Sequence, residues 1–419
     1  MKPPNLGKQP FLRDTSSPEA SFEKFLKEVY GRDVDENPQY TGRYLLILKE
    51  GNKSMEKAKK LFESKLGFTV ANTADFSTES LNENDIQGAD ALIYNDLGIA
   101  LVSFEEDQMH LLESTDAYYI IEPEKVVYVP DVVPVEAEVS STWGIHITQA
   151  LHSKYTGAGI KVAILDTGFD TSHPDFEGRT IRTKSFVPNE TIQDRHGHGT
   201  HCMGTACGST DLNGQRYGVA PDALMYAGKV LSDRGSGAQA WVLNGMTWAA
   251  NSGCNVLSMS LGSRVSLGQS YDIAYERAAQ FALSKGTVIV AAAGNESRRS
   301  KELYSPVGSP ADCPSILAVA ALDPDLNVAD FSNRAINLNG QVDIAAPGVA
   351  IYSSWPMPTR YRTISGTSMA TPHVAGILAL LFEKYPEATP AIIEKELRSM
   401  AKNLPLLPED VGVGLSISP

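Results

Sequence analysis

Three histidines, His196, His198 and His201, fall in the stretch DRHGHGTHCMG (Asp194–Gly204), and Cys202 directly follows the last. Such a cluster suits a metal site, a structural knot, or one proton-transferring base with two bystanders. A zinc site needs three or four ligands converging on one point, oriented by hydrogen-bond partners behind them. His196 precedes the helix that this stretch predicts, and no carboxylate follows at a useful helical spacing. Metal is therefore the weakest of the three readings. His198, bracketed by Gly197 and Gly199, falls at the first turn of that helix, with His201 and Cys202 sharing its face one turn on.

Three further stretches carry residues of the types that acyl transfer needs. VAILDTGFD ends an apolar run on Asp166 and turns on Gly168, so Asp166 is either a carboxylate at a strand end or the cap of the next turn. In ISGTSMATPHVAGILALLF, Ser368 opens a long apolar helix. Its hydroxyl there meets free backbone N–H groups and the positive end of the helix dipole, which suits a nucleophile whose attack creates an oxyanion; the plain alternative is an N-cap serine. AAAGNES delivers Asn295 beside Gly294, either as a side-chain amide donor to that oxyanion or as a turn asparagine. Each structural alternative stands alone, but four independent accidents supplying acid, base, nucleophile and donor do not stand together.

The elements that must position these residues are legible from about residue 140. IKVAILD, ALMYAGKVL, NVLSMSL, TVIVAAA and SILAVAAL are near-continuous apolar runs, as expected of parallel strands buried on both faces. GAQAWVLNGMTWAANSG and YDIAYERAAQFALSKG supply helices between them. The expected fold is α/β, a three-layer domain with a mostly parallel central sheet whose ligands sit at the carboxyl ends of the strands. Upstream, residues 1–40 read as a polar leader with one short amphipathic helix after Ser17–Pro18, its stripe made by Phe22, Phe25, Leu26, Val29 and Tyr30. Residues 43–129 read as a small α+β unit: a strand RYLLILK, a helix marked by Met55, Ala58, Phe62 and Leu66, a hairpin turning near Asp96–Gly98, a short helix, and a strand KVVYV. PDVVPVEAEVSS, from Pro130, reads as an extended connector. The division is 1–40, 41–137 and 138–419.

A formal charge of −14 argues against a nucleic-acid partner, and no apolar run is long enough to span a bilayer. Four cysteines, Cys202, Cys207, Cys254 and Cys313, form no C-x-x-C pair and are expected as buried free thiols rather than disulfides. The first residues, MKPPNLGKQPFLRD, lack the apolar core of a signal peptide. The compartment stays open: cytoplasmic if the chain is complete, secreted if it is trimmed.

From about Trp143 to Leu415 the chain resembles the subtilisin-like serine proteases, in the blocks DTG, HGHGTH, AAAGN and GTSMATPH and in the order Asp, His, Ser. The resemblance implies a serine endopeptidase with Ser368 as nucleophile, His198 as general base, Asp166 orienting the imidazole and Asn295 binding the oxyanion. It places Gly235, Ser236 and Gly237 on one substrate-pairing edge, and Ser260, Leu261 and Gly262 on the other. Gly294 and Gly308 would line a roomy, apolar primary pocket, giving broad specificity with large apolar P1 side chains. Cys202 beneath His198 is a proteinase K-like feature, expected to make the enzyme sensitive to bulky mercurials. The small unit before the connector is similar to the inhibitory, ferredoxin-like propeptide of the family. That implies a self-inhibited, self-processing zymogen cut near Ala137–Glu138, with protein or peptide substrates and the propeptide as intramolecular partner. No cofactor is implied for the chemistry; Asp175, in HPDFEG, matches a position that binds calcium in many relatives, although the partner loop GSTDLNGQRYG departs from the usual calcium loop. A catalytically dead scaffold, or an esterase or ligase using the same triad, are the competing readings.

Overall fold

The computed structural model describes residues 39–49, 55–75, 88–103, 119–131, 133–134 and 142–419. The expected leader helix, the short helix after the hairpin and the bond Ala137–Glu138 lie outside these residues. The chain divides into two compact units between Lys125 and Val126, whereas the sequence reading draws its boundary at 137–138. The difference arises because residues 126–129 and 133–134 make backbone hydrogen bonds with residues of the second unit.

In the first unit, β1 (Tyr40–Leu48), α1 (Met55–Lys65), β2 (Val70–Asn72), β3 (Ala91–Tyr94), β4 (Ile99–Val102) and the start of β5 (Tyr119–Tyr128) form an α+β arrangement. The strand order is β5-β1-β4-β3-β2, with β3 and β4 as an antiparallel hairpin. Leu46, Leu48, Ile93, Ala100 and Val102 share a core with Ala58 and Phe62, four residues apart on one face of α1. Arg43 grips the fully buried Glu124 through Nε (2.6 Å) and Nη2 (3.0 Å), so that carboxylate is buried with its charge paired.

The second unit follows with β6 (Val133–Pro134), α2 (Trp143–Ile147), β7 (Lys161–Asp166), β8 (Ile181–Ser185), α3 (His198–Cys207), β9 (Leu224–Lys229), β10 (Ser236–Ala238) and α4 (Gln239–Asn251). It continues through β11 (Val256–Met259), α5 (Ile273–Ser284), β12 (Val288–Ala292), β13 (Leu317–Leu322), β14 (Ile344–Pro347), β15 (Ile351–Ser354), β16 (Tyr361–Ser365), α6 (Thr367–Lys384) and α7 (Pro390–Met400). A seven-stranded sheet of order β14-β13-β12-β11-β7-β9-β8 is parallel at every pairing. Alternate strand residues face opposite layers. Val162, Ile164, Val256, Val288 and Val290 join Met203, Ala206, Ile377 and Leu381 of α3 and α6 in the main core. Leu165 points the other way, against Gly245 of α4. The three-layer α/β fold expected from the sequence is therefore present.

Strand order reverses at β7, which has β9 on one side and β11 on the other. Such a switch point opens a crevice at the carboxyl ends of the strands. Asp166 ends β7, Ser260–Gly262 follow β11, and Asn295 follows β12. All four cysteines are buried and free, as expected. Among the described residues no helix is long and apolar enough to cross a membrane.

Candidate active site

His198 is the first residue of α3 and is fully buried. Its Nδ1 lies 2.8 and 3.0 Å from the two carboxylate oxygens of Asp166. An ionised carboxylate only accepts, so in the neutral imidazole Nδ1 carries the proton and Nε2 presents a lone pair. Among the described residues that buried Nε2 has no hydrogen-bond partner. Burial by itself depresses an imidazole pKa; here the adjacent Asp166 carboxylate outweighs it, with Cys202 contributing, and His198 is held well above the ordinary histidine value.

The two glycines of HGHG are steric requirements. Gly197 has φ +104°, and a Cβ there would enter the Trp355 ring; a Cβ on Gly199 would strike the Gly168 carbonyl, on the turn after β7. Removing both side chains lets the start of α3 approach the end of β7, which brings His198 to Asp166.

A residue not singled out from the sequence fixes this approach. Asp194, 1% exposed, accepts five hydrogen bonds: from Thr167 Oγ1 (3.0 Å), His196 N (3.1 Å), Gly197 N (2.7 Å), Thr200 N (2.9 Å) and Thr200 Oγ1 (2.8 Å). It thus satisfies free N–H groups at the start of α3, where the helix dipole favours an anion, and anchors Thr167 beside Asp166. Thr167 in turn donates its N–H to Asp166 Oδ1 at 2.7 Å and accepts from Gly199 N at 2.9 Å. The buried ammonium of Lys229 donates to the Thr167 carbonyl. An acidic residue just ahead of a predicted helix start was the available signal for Asp194.

Ser368 is the second residue of α6 and fully buried, at the positive end of the helix dipole. Its Oγ donates to the Ser260 carbonyl at 3.4 Å, while the Ser260 hydroxyl donates to the Ser368 carbonyl at 2.8 Å. Cys202 Sγ lies 3.8 Å from His198 Nδ1 and 3.5 Å from the Ser368 carbonyl, so one thiol touches both residues. Asn295 Oδ1 accepts from the N–H (3.0 Å) and hydroxyl (2.8 Å) of Thr367, which fixes the amide orientation because a backbone N–H can only donate. Its Nδ2 donates outward, to the Asp131 carbonyl at 2.8 Å.

The edges expected to pair with substrate hold an extended segment of the chain itself. Val126–Tyr128 pair antiparallel with Ser236–Ala238. Val129 donates to the Gly235 carbonyl at 2.8 Å, and Tyr128 exchanges both backbone hydrogen bonds with Gly262 at 2.9 and 3.0 Å. Gly235, Ser236, Gly237 and Gly262 are therefore strand-pairing positions, while Leu261 is buried behind them. Gly294, at φ +108°, lies where a Cβ would strike Asn333, and Gly308 donates to the Ala293 carbonyl.

Only one group of potential metal ligands converges among the described residues: Asp166, His198 and Cys202. Its chemistry does not suit zinc. Burial raises the Cys202 thiol pKa, keeping it protonated, and Asp166 is spent on His198 Nδ1. His201 points away, with Nε2 on the Ile351 (3.0 Å) and Arg362 (3.2 Å) carbonyls, and burial pulls its pKa down to about 3. His196 packs edge-on to His198, ring centroids 6.3 Å apart.

Asp166 bonded to His198, and Asn295 bonded to Thr367 beside Ser368, thus lie near the switch point of a parallel sheet. Residues 157–414 match the Subtilase family, and the chain belongs to that family. It is 44% identical to subtilisin E of Bacillus subtilis over 258 residues, which are 61% of this chain and 64% of that protein. It is 43% identical to a subtilisin of Bacillus pumilus over 61% of this chain and 88% of that protein. Subtilisin Savinase of Lederbergia lenta is 42% identical over 63% and 93%. The chain thus spans about 64% of the length of relatives such as subtilisin E.

Proposed function

We propose that this chain is a serine endopeptidase that cleaves peptide bonds through an acyl-enzyme. The reading is carried by one observation: Asp166 holds the proton of His198 on Nδ1 and leaves Nε2 buried with a free lone pair, on the element touching Ser368 through Cys202. Ser368 Oγ attacks the scissile carbonyl carbon as its proton passes to Nε2. The carbonyl electron pair moves to oxygen, where Asn295 Nδ2 and the Ser368 N–H at the positive end of α6 receive it. His198 then returns the proton to the departing amine, and water repeats the sequence to release the acid. A side-chain rotation of Ser368 from the Ser260 carbonyl toward Nε2 sets up the attack.

The chain acts on protein or peptide substrates taken as an added strand between Gly235–Gly237 and Ser260–Gly262. Support comes from Val126–Val129, which use those edges in this manner. Large apolar side chains at P1 are preferred, beside Gly294 and Gly308. The same occupied groove supports a self-inhibited precursor, since Asn295 already donates to a carbonyl of the chain, that of Asp131. Processing downstream of Asp131, toward Ala137–Glu138, clears it.

The test compares the native chain with Ser368→Ala on a peptide amide and an ester, alongside intact mass. The reading expects both activities in the native chain, neither in the variant, and two pieces only from the native chain. Cleavage of the ester but not the amide would leave an esterase, and labelling-inert Ser368 with neither activity would leave a binding scaffold.

A further inference from the structure

Asp175 sits in the 3₁₀ turn Pro174–Phe176 with its side chain only 3% exposed. A calcium ion takes six to eight oxygen ligands, and a buried carboxylate is a strong candidate for one of them. The surroundings of Asp175 do not fit such an ion. Its Oδ1 accepts from the Arg360 guanidinium at 3.1 Å and from the Tyr361 hydroxyl at 3.0 Å; its Oδ2 accepts from the Tyr217 hydroxyl at 2.9 Å. Tyr217 is 2% exposed, so its phenol fills the space beside the carboxylate. Burial next to that anion pushes the Tyr217 phenol upward, which keeps it a neutral donor.

The neighbouring loop has likewise used its oxygens. Asp211 accepts from Asn213 N (2.8 Å) and Gln215 N (2.9 Å) on one oxygen and from Tyr352 on the other (3.1 Å). The Gln215 carbonyl accepts from Asp211 N, the Asp211 carbonyl from Gly214 N, and the Ser209 carbonyl from Tyr217 N. Leu212 N donates to the Tyr361 hydroxyl at 3.1 Å. Tyr217, Tyr352 and Tyr361 contact one another, with ring centroids 5.3 to 6.2 Å apart. Arg360 is itself held: its carbonyl takes the Nε2 proton of His173, whose Nδ1 accepts from Asp175 N.

We propose that Arg360, with the hydroxyls of Tyr217 and Tyr361, supplies internally the positive charge and donors for Asp175, so that loop 209–217 is clamped without a metal ion. A guanidinium tethered to the fold replaces an exchangeable cation. The clamp is independent of the catalytic reading.

The experiment is thermal unfolding of the Ser368→Ala chain, which removes self-digestion, with and without a chelator and with added calcium. The Asp175→Asn, Arg360→Met and Arg360→Lys changes and the Asp175→Asn/Arg360→Met pair are made in it. The clamp requires that any response to chelator be the same in the Asp175→Asn chain as in its parent, so that none of it is traceable to that carboxylate. Arg360→Met should lower Tm by about 3–8 °C, Arg360→Lys by less, and Arg360→Met should do little once Asp175→Asn is in place. A chelator-induced drop in Tm that disappears in Asp175→Asn would place a cation there and overturn the proposal. So would an Arg360→Met effect of equal size in both backgrounds.

Discussion

Replacing Asp194 by asparagine tests how the dyad is held. The carboxylate accepts five donors, two on Oδ2 from Thr200 and three on Oδ1 from Thr167, His196 and Gly197. Asparagine keeps one acceptor oxygen and puts an NH2 in place of the other. Whichever way it turns, at least one buried N–H faces another N–H. Leaving a buried donor unpaired costs about 1–3 kcal/mol, and the surviving bonds fall from charged strength, about 1.5–3 kcal/mol, to neutral strength, about 0.5–1.5. The local loss is about 3–5 kcal/mol, comparable to the whole contribution of an important buried group. It is felt at Thr167 and at the start of α3, which carry Asp166 and His198. A displacement of about 1 Å in such a pair costs about 10²-fold. Asp194→Asn should therefore lower kcat/KM on a peptide amide by roughly 10–10²-fold, through kcat rather than KM.

The pH profile separates this from general loosening. The titratable groups that interact electrostatically with His198 are Asp166, Cys202, His196 and His201. A weakened Asp166–His198 contact stabilises the imidazolium less, so the acidic limb of kcat/KM moves to lower pH. Thr167→Ser, which keeps the hydroxyl, should behave like the native chain, whereas Thr167→Val should follow Asp194→Asn. If Asp194→Asn lowers Tm but leaves kcat and the acidic limb unchanged, the carboxylate only stabilises the fold and the positioning role is wrong.

Three other outcomes follow from the same geometry. Because Asp166 raises the His198 pKa, activity needs a pH above the ordinary histidine range: kcat/KM should climb through an apparent pKa above 6.5, and a profile already flat below pH 6 would contradict it. Asn295→Ala should cut kcat by about 10²–10³-fold with little change in KM, a magnitude that itself comes from a subtilisin; a KM effect alone would make Asn295 a ground-state contact. His201 and His373 are buried neutral, with pKa values lowered to about 3 and about 4, so their stability contribution is full above about pH 6.5 and lost as pH falls toward those values. The urea midpoint of Ser368→Ala should drop between pH 6.5 and 4, and less steeply in His373→Gln; parallel curves would remove His373 from the acid response.

How much of this was legible depends on range along the chain. The apolar runs ending at Asp166 and before Asn295 announced β7 and β12, since strands buried on both faces leave a composition signal. β8 left none: IRTKS is a half-exposed edge strand whose residues alternate neither in polarity nor in burial. The glycines around His198 and the Ser368 helix start were readable because helix ends and tight approaches restrict residue type locally. The hold of Asp194 on Thr167 joins residues far apart in sequence, as does that of Arg360 on Asp175, and neither pairing leaves a local pattern. Within the connector, Val133–Pro134 form a strand on β16; that partner, and those of Val126–Val129 at Gly235–Ala238 and Gly262, became visible only through backbone pairing.

The most direct measurement is the mass of the chain after reaction with a serine-directed phosphonate, with the adduct located by peptide mapping. A single adduct on Ser368, formed in the processed native chain and slowed at least ~10³-fold in His198→Ala, is what a proton-accepting imidazole serving that hydroxyl requires. An adduct on another residue, or one on Ser368 that forms equally fast without His198, would contradict it.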